Sequence, residues 1–265
     1  MEDLDTVASR REHAAVQLRD LAALGLEWDG EVVFQSARGG LYEGALQRLR
    51  KSGLVYECFC TRREIQSATQ APNGAQLGGR YPGTCALLTT DERSARARSG
   101  RPPALRLRAQ AATGQFHDLV AGVRQFPIDD FVLRRNDGMW AYNLAVVVDD
   151  ADQQVGTVVR ADDLLSSTPR QSHLGDLLGL PTPQFAHVPL VVNQSGERLA
   201  KRDGAVTLAD LAVLGVDAPS VLGYLAISLG LRPDFQPIAE AADLLDSFAL
   251  DRIPREPWAF PASGL

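Results

Sequence analysis

The pattern of apolar and polar residues predicts helices and strands that alternate along the chain. Apolar residues at helical spacing predict a helix over 41–51, which Gly53 ends, and apolar runs at 54–56 and 188–192 predict strands. The run 188–192 is rich in valine, and β-branched residues are typical of strands buried in parallel sheets. This alternation predicts an α/β fold built on a doubly wound, Rossmann-type parallel sheet.

The pattern changes close to Cys58. Thr61 and Glu64 have the spacing of a capping box, which predicts that a helix begins there. A stretch rich in glycine and proline, residues 71–84, predicts a loop. Strand-like runs follow at 105–109, 115–120 and 131–135. We therefore predict that residues 55–130 form an insertion that is separate from the main sheet.

Three regions follow from these patterns. Residues 1–54 and 131–205 would form the domain that carries the sheet, and 55–130 would be inserted into it. Residues 206–265 would form a helical C-terminal region that ends in a loose, proline-rich tail from Pro254 onward. The apolar residues at helical spacing in this last region lie at 208–214 and 220–229.

The composition narrows the classes of protein that fit. The chain has 265 residues, 45% of them hydrophobic, which is enough for a sizeable core. A net charge of −6 argues against a protein that coats RNA by charge alone. The sequence lacks a run of roughly 18 apolar residues that would span a membrane, and its acidic start differs from a signal peptide. We therefore expect a cytoplasmic protein.

The three cysteines of the chain lie within residues 58–85. An odd number of cysteines is a poor disulfide framework, whereas thiolates at Cys58, Cys60 and Cys85 could close on Zn²⁺ as a structural site. Three sulfurs leave one ligand to find. Tyr81 is the nearest choice, while His117 or a solvent oxygen are alternatives. Three reduced, partly buried cysteines without a metal would also fit the spacing.

Two further groups of residues could carry chemistry. The basic, glycine-flanked loop 196–204 follows a predicted strand, and its Lys201 and Arg202 would suit the phosphates of a nucleotide. Tyr142 begins an apolar segment that ends in two acids, and Arg160 ends the next apolar run, where it could pair with a carboxylate. Each group has a simpler explanation, namely a solvated basic turn and surface ion pairs beside a core tyrosine.

Taken together, these segments resemble class I glutamyl-tRNA synthetases, in the same order along the chain. Residues 1–5 resemble the end of that family's Arg-x-Glu-Asp-x-Asp strand, and 198–202 resemble its Lys-Met-Ser-Lys-Ser motif. The other matching segments are 24–30, 135–138, 142–150, 159–164 and 187–190. The resemblance extends from residue 1 to about residue 230.

The glutamyl-Q tRNA(Asp) synthetases, a paralogous family, resemble the chain more closely. Cys58, Cys60, Tyr81 and Cys85 match the zinc pattern of that family, and residues 140–144 are close to its form of that segment. The chain also stops soon after one helical region, where a glutamyl-tRNA synthetase continues into a large anticodon-binding domain. The resemblance implies ATP-dependent activation of glutamate without tRNA, followed by transfer to queuosine in the anticodon of tRNA(Asp).

The resemblance also implies roles for individual residues. Arg160 would hold a carboxylate of glutamate, while Glu2 and Tyr142 would hold its α-amino end. Lys201 would be the catalytic lysine, and with Arg202 it would bind the phosphates of ATP, whose charge Mg²⁺ would share. Zn²⁺ would be bound by Cys58, Cys60, Tyr81 and Cys85. We expect a monomer whose partners are glutamate, ATP and tRNA(Asp) carrying queuosine.

Several positions depart from the family pattern. The family's first strand and its His-Ile-Gly-His segment would precede Met1, so we expect this chain to be N-terminally truncated and impaired. Ala161 stands where the family usually has glycine, and Arg198 and Ala200 stand where lysine and serine are usual. Two alternatives remain open at this point. One is a fragment of a discriminating glutamyl-tRNA synthetase, and the other is a non-catalytic, zinc-containing RNA-binding protein.

Overall fold

The computed structural model describes residues 1–5, 9–70, 80–110, 113–198 and 207–260. Its helices are α1 (Arg11–Ala23), α2 (Gly39–Lys51), α3 (Arg62–Gln70), α4 (Thr90–Ala97), α5 (Tyr142–Asp152), α6 (Thr168–Leu178), α7 (Leu208–Val213) and α8 (Ala218–Ser228). Its strands are β1 (Val55–Cys58), β2 (Ala104–Leu107), β3 (Thr113–Asp118), β4 (Gly122–Pro127), β5 (Val132–Arg134), β6 (Thr157–Ala161), β7 (Gln184–Val188), β8 (Val191–Val192) and β9 (Trp258–Ala259).

The described strands form three sheets. An antiparallel sheet has the order β1-β2-β5. A mixed sheet has the order β4-β3-β7-β6, in which β7 lies parallel to both β3 and β6 while β4 pairs antiparallel with β3. The short strands β8 and β9 form a parallel pair. The fold is therefore mixed α/β.

This pairing corrects the sequence prediction of a doubly wound parallel sheet from which the insertion is separate. Strands β1, β2 and β3 come from the predicted insertion, 55–130, yet β3 pairs with β7 and β2 pairs with β5 of the predicted main domain. The local apolar pattern predicts that a strand exists, but not its partner, which long-range contacts decide. The boundaries of the three regions remain predictions. Strands pair across the boundary between residues 55–130 and the predicted main domain.

Helix α2 shows how the main core is built. Tyr42, Leu46 and Leu49 lie on one face of this helix at spacings of four and three residues, and all three are fully buried. They pack in one cluster with residues of β2, β5, α5 and α6. Burial of each such side chain contributes about 2 kcal/mol. The core thus fixes α5, which carries Tyr142, against the antiparallel sheet.

The C-terminal region confirms two predicted helices and corrects the predicted loose tail. Helices α7 and α8 lie at the predicted places. In the tail, however, Trp258 and Ala259 pair with Val191 and Val192 as the strand β9. The aromatic ring of Phe260 also contacts that of Tyr224 in α8, so aromatic packing holds this segment in place. None of the described helices is long and apolar enough to cross a membrane.

Candidate active site and metal centre

The first five residues are held against the loop that precedes α2. The Met1 ammonium group donates a hydrogen bond to the Val33 carbonyl oxygen at 2.6 Å, and the Gln35 N–H donates to the Met1 carbonyl oxygen at 3.1 Å. The Asp3 carboxylate accepts two hydrogen bonds from Ser36, at 2.5 and 2.8 Å. These contacts fix the backbone on both sides of Glu2.

Helix α5 presents two acids with different roles near its C-terminal end. The Asp149 carboxylate is buried and accepts hydrogen bonds from Tyr42 at 2.8 Å, Gln35 at 2.9 Å and Arg38 at 2.6 Å. It therefore joins α5 to α2 and is not a surface ion pair. Asp150, the next residue, lies within electrostatic range of Glu2 and Arg160, on a different side of the helix.

Glu2, Tyr142 and Arg160, the three residues predicted to bind glutamate, lie close together. Burial and the negative charge of Glu2 raise the pKa of Tyr142, while the Arg160 guanidinium acts in the opposite direction. Burial raises the pKa of Asp150 to about 6, Arg160 opposes this, and the charges of Asp149 and Glu2 add to it. Asp150 therefore belongs to the same group of charges, although sequence reasoning gave it no ligand-binding role.

Arg160, at the end of β6, is held by two buried polar side chains. Its Nε donates a hydrogen bond to His187 Nε2 at 3.0 Å, and its Nη2 donates to Thr168 Oγ1 at 2.8 Å. Arg160 and His187 are register partners in the parallel pair of β6 and β7. His187 Nδ1 lies 2.6 Å from the Asp118 carboxylate, and both side chains are inaccessible to solvent.

Sequence reasoning did not find the group of residues behind Arg160. Asp118 and His187 are 69 positions apart in the chain and meet only because β3 pairs with β7. The sequence offered two weak signals. His187 begins one of the segments that carry the family resemblance, and Asp118 is an acid within the strand-like run 115–120. Thr168 is buried in the first turn of α6.

A cleft of about 680 Å³ connects this group to the cysteines. Glu2 and Tyr142 line one part of it, and Cys58 and Cys60 line another. Four arginines also line the cleft, namely Arg62, Arg101, Arg106 and Arg135. The cleft therefore combines an acidic end with a basic wall, which suits a ligand that carries both an ammonium group and phosphates.

The three cysteines converge, as the sequence predicted. Their sulfur atoms lie within 4.8 Å of one another, and Cys60 Sγ is 3.5 Å from Cys85 Sγ. The Tyr81 hydroxyl oxygen lies 3.4 Å from Cys58 Sγ and 3.8 Å from Cys60 Sγ. Ligands that surround one zinc tetrahedrally at about 2.3 Å are separated by about 3.8 Å. The spacing and the chemistry of these donors therefore fit a metal ion.

The local backbone explains how these ligands meet. Cys58 ends β1, and Cys85 lies in a short 3₁₀ turn, Thr84–Leu87, whose preceding residue Gly83 has a φ of 77° that favours glycine. The capping box predicted at Thr61 and Glu64 is confirmed by hydrogen bonds in both directions, at 2.6 and 3.0 Å. It begins α3 immediately after Cys60, which turns the chain away from the cluster.

Burial raises the pKa of the Cys60 thiol to about 12. Burial also acts to raise that of Cys85, but donors from Phe59 and Tyr81 outweigh it, so the pKa of Cys85 is lowered. Burial therefore opposes ionisation of Cys60, whereas local hydrogen bonds favour ionisation of Cys85. His117, the alternative fourth ligand, does not belong to this group of metal-binding side chains in the part of the chain that the structure describes.

Comparison with known proteins decides the family. The family model for the catalytic domain of class I tRNA synthetases (E and Q) matches residues 1–264. A glutamyl-Q tRNA(Asp) synthetase from Nocardia farcinica is 55% identical over 265 residues, which cover 100% of this chain and 82% of the relative. The chain belongs to the glutamyl-Q tRNA(Asp) synthetase family. A second member of that family, from Symbiobacterium thermophilum, is 44% identical and is matched over 84% of its length.

Solved structures confirm the synthetase catalytic fold. A glutamate tRNA ligase from Elizabethkingia meningosepticum superposes with a TM-score of 0.78 at 21% identity, over 99% of this chain. A glutamate-tRNA synthetase from Elizabethkingia anophelis gives a TM-score of 0.77 at 20% identity. The chain spans 60% of the length of each of these structures. At this identity the likeness concerns the fold alone.

The predicted ATP loop of this class I synthetase is described only in part. Lys201 and Arg202 lie outside the described residues, so their roles remain predictions. Before them, Arg198 Nη1 pairs with the Asp163 carboxylate at 2.5 Å. Asp163 belongs to the 3₁₀ segment Asp162–Ser167, which directly follows β6 and its Arg160. The start of the loop is therefore tied to the strand that carries Arg160.

Proposed function

We propose that this protein activates glutamate with ATP and transfers it to queuosine in the anticodon of tRNA(Asp). The observation that carries the proposal is the meeting of Glu2 and Arg160 at Tyr142, beside a cleft that Glu2 and Tyr142 line, in a chain that is 55% identical to a glutamyl-Q tRNA(Asp) synthetase. Strand pairing, the fixed N-terminal segment and helix α5 bring these residues together from three parts of the chain.

Glutamate recognition follows from the charges of this group. Arg160 would pair with a substrate carboxylate, since a guanidinium can donate two parallel hydrogen bonds to it. Glu2 and Asp150 provide negative charge, and Tyr142 provides a phenol oxygen, for the α-ammonium group. Asp150 is half-buried, and an acid whose pKa is raised to about 6 is mostly ionised at neutral pH and is stabilised by a cation beside it.

In the activation step, a carboxylate oxygen of glutamate attacks the α-phosphorus of ATP. The bond to pyrophosphate breaks, and glutamyl-adenylate forms. This reaction asks for positioning and for stabilisation of charge on the phosphates. We assign the latter to Lys201 and Arg202, together with Mg²⁺ that accompanies ATP. In the second step the acceptor oxygen of queuosine attacks the activated carbonyl, and AMP leaves.

We assign Zn²⁺ to Cys58, Cys60 and Cys85, with Tyr81 as the fourth ligand. The supporting observations are the separations of 3.4–3.8 Å that link these donors. When bound, the metal supplies a structural cross-link between the end of β1 and the turn that contains Cys85. Two of the proposed ligands, Cys58 and Cys60, line the cleft.

The basic wall of the cleft is the proposed entry for the RNA. Arg62 is exposed and Arg101 is half-buried, so both can reach phosphates. Arg106 is buried, with its guanidinium 3.8 Å from the centroid of the Tyr81 ring, and it serves the cysteine cluster as well as the wall. The net charge of −6 makes this local basic surface, rather than overall charge, the means of attracting tRNA.

Two assays on the full-length protein test the proposal. The first is ATP–pyrophosphate exchange, which should depend on glutamate and proceed without tRNA. The second is transfer of labelled glutamate to tRNA(Asp) with queuosine, with tRNA(Asp) lacking queuosine and tRNA(Glu) as matched acceptors. We expect transfer only to the first. Transfer to tRNA(Glu) would identify a glutamyl-tRNA synthetase instead. Absence of both glutamate-dependent exchange and glutamate transfer would refute the proposal.

A further inference from the structure

We infer that Asp118 and His187 are positioning residues that hold the Arg160 guanidinium in the orientation needed for glutamate. This inference rests on the proposed function, because it explains how the glutamate-binding arginine is fixed. Asp118, His187 and Thr168 lie behind Arg160, away from the residues proposed to touch the substrate. They would act on the reaction only through Arg160.

The hydrogen bonds of Arg160 use one edge of its guanidinium. The Nε–H and one N–H of Nη2 lie on the same side of the planar group, and they donate to His187 and Thr168 respectively. The two acceptors, His187 Nε2 and Thr168 Oγ1, lie 3.4 Å apart, which matches the two parallel N–H bonds. The end of the guanidinium, formed by Nη1 and the second N–H of Nη2, takes no part in these two hydrogen bonds, so it can donate two hydrogen bonds to a carboxylate.

This arrangement fixes the tautomer of His187. Because Nε2 accepts a hydrogen bond from Arg160, the ring proton must be on Nδ1, where it is donated to the Asp118 carboxylate at 2.6 Å. The other Asp118 oxygen accepts hydrogen bonds from the backbone N–H groups of Val120, Ala121 and His187. Asp118 is therefore an acceptor in every contact, and it dictates which ring nitrogen faces Arg160.

The electrostatics support a neutral histidine beside an anionic aspartate. Burial lowers the pKa of His187 and so does the positive charge of Arg160, although Asp118 acts to raise it. Burial acts to raise the pKa of Asp118, but its backbone and imidazole donors outweigh burial and lower it. A protonated His187 would present an N–H to the Nε–H of Arg160, and the two donors would repel each other.

A purely structural role for Asp118 is the competing explanation. Its carboxylate also joins the end of β3 to the backbone of β7, so its loss would weaken the mixed sheet in any case. The test must therefore measure something that sheet stability does not change. The affinity for glutamate, compared with that for ATP, and the tautomer of His187 are two such quantities.

The decisive variant is Asp118→Asn. The asparagine oxygen can still accept the three backbone N–H groups, which leaves its NH₂ facing His187 Nδ1. The imidazole must then carry its proton on Nε2, where it meets the Nε–H of Arg160. We expect the KM for glutamate in ATP–pyrophosphate exchange to rise by about 10- to 100-fold, as for a misplaced binding group, with the KM for ATP changed less than threefold.

A second substitution should restore recognition. In the double variant Asp118→Asn with His187→Gln, the carbonyl of the introduced glutamine side chain can stand where Nε2 was and accept from Arg160 without help from residue 118. We expect the KM for glutamate to return to within about fivefold of the wild type. His187→Gln alone should also keep a low KM, which provides a readout if Asp118→Asn does not fold.

Tyr42→Phe is the matched control, since it removes a buried hydrogen bond to an aspartate in the core and should leave this KM unchanged.

Nitrogen NMR of the imidazole completes the experiment independently of turnover. The wild type should show a neutral His187 protonated on Nδ1, and Asp118→Asn should show protonation on Nε2. A lowered melting temperature with unchanged tautomer and unchanged KM for glutamate would overturn the inference and leave only the structural role. Absence of glutamate-dependent exchange in the wild type would instead refute the proposed function, whatever the tautomer.

Discussion

The residues around Arg160 and the cysteine cluster are both buried groups of polar side chains, but they are completed in different ways. Behind Arg160, each described hydrogen bond joins a donor to an acceptor within the chain, and the negative charge of Asp118 is balanced by four donors. Among the cysteines, the donors mainly contact one another, as in the 3.5 Å approach of Cys60 and Cys85. The protein completes the first group, whereas a cation would complete the second.

This difference implies a division of labour along the cleft. The group around Arg160 can be preorganised as soon as the sheet forms, and a binding site benefits from such rigidity. The cysteine cluster is expected to be less stable without a metal, because burial opposes formation of the Cys60 thiolate and a cation would stabilise that thiolate. Its order should therefore depend on metal, and the four predictions below test this contrast, beginning with the largest expected effect.

Substitution of Arg160 should have the largest effect. Arg160→Ala removes the partner of a substrate carboxylate and leaves that charge unpaired, at a cost of about 3 kcal/mol or more in glutamate activation. Arg160→Lys should rescue only partly, because an ammonium group cannot donate to His187, Thr168 and a carboxylate in one plane. The measurement is kcat/KM for glutamate in pyrophosphate exchange on the full-length protein.

The control for this prediction is Arg38→Ala, which removes an arginine that pairs with Asp149 and Asp152 outside the glutamate group. Arg38→Ala should lower the free energy of unfolding and leave the KM for glutamate nearly unchanged. If Arg160→Ala activates glutamate normally, Arg160 does not bind glutamate. The proposed positioning role of Asp118 and His187 would then also be wrong.

Removal of the metal should come next and should act locally. Purified, reduced protein should contain close to one zinc per chain, and either a chelator or Cys58→Ser should release it. We expect hydrogen exchange to accelerate strongly at β1 and the Cys85 turn, with β6 and β7 little changed, because metal binding there is part of the local folding free energy.

Cys58→Ala provides the comparison, since it removes the ligand without adding a hydroxyl and should behave like Cys58→Ser. Protein with far less than one zinc per chain that is nevertheless fully protected at the Cys85 turn would show that the cluster is an ordinary small core. Equal acceleration in β7 would show that the two regions are not independent.

Asp150 offers a smaller effect with a definite pH dependence. Its folded pKa of about 6 lies above the ordinary value of 3.8, so its ionisation destabilises the folded state at pH values above 6. This penalty declines as the pH falls through 6 and vanishes below 3.8. Asp150→Asn should therefore stabilise the protein by about 2 kcal/mol at pH 8 and by almost nothing at pH 4, as measured by urea unfolding.

The same variant should weaken glutamate binding, because it removes negative charge proposed to face the ammonium group. Asp152→Asn is a suitable control, since Asp152 is half exposed and pairs with Arg38. A stability difference that does not change between pH 8 and pH 4 would contradict the raised pKa and would leave Asp150 as an ordinary packing residue.

The features that the sequence predicted correctly depend on neighbouring residues. The capping box of Thr61 and Glu64, helix α2, and the closely spaced cysteines all involve short separations along the chain. The errors concern distant partners. Trp258 pairs with Val191 across the molecule, and β3 leaves the predicted insertion to pair with β7.

The same distinction applies to the site. The family resemblance supplied Glu2, Tyr142 and Arg160, which the fold brings together. Asp118 could not be predicted, because its role exists only once β7 carries His187 to it. Hydrogen bonding between such distant positions leaves no local pattern that a single sequence would reveal.

The smallest expected effect concerns Arg101, one of the four arginines that line the cleft. Arg101→Ala removes one positive charge available to an RNA phosphate, so the KM for tRNA(Asp) should rise by about three- to tenfold, and the salt dependence of binding should lose about one unit of slope. Glutamate-dependent pyrophosphate exchange should stay unchanged, because Arg101 is not among the residues proposed to bind glutamate or ATP. Arg19→Ala is the matched control, since Arg19 is exposed on α1 and does not line the cleft. If both variants raise the KM for tRNA equally, the RNA responds to overall charge. If Arg101→Ala lowers exchange instead, the two ends of the cleft are coupled and the division of labour proposed above is wrong.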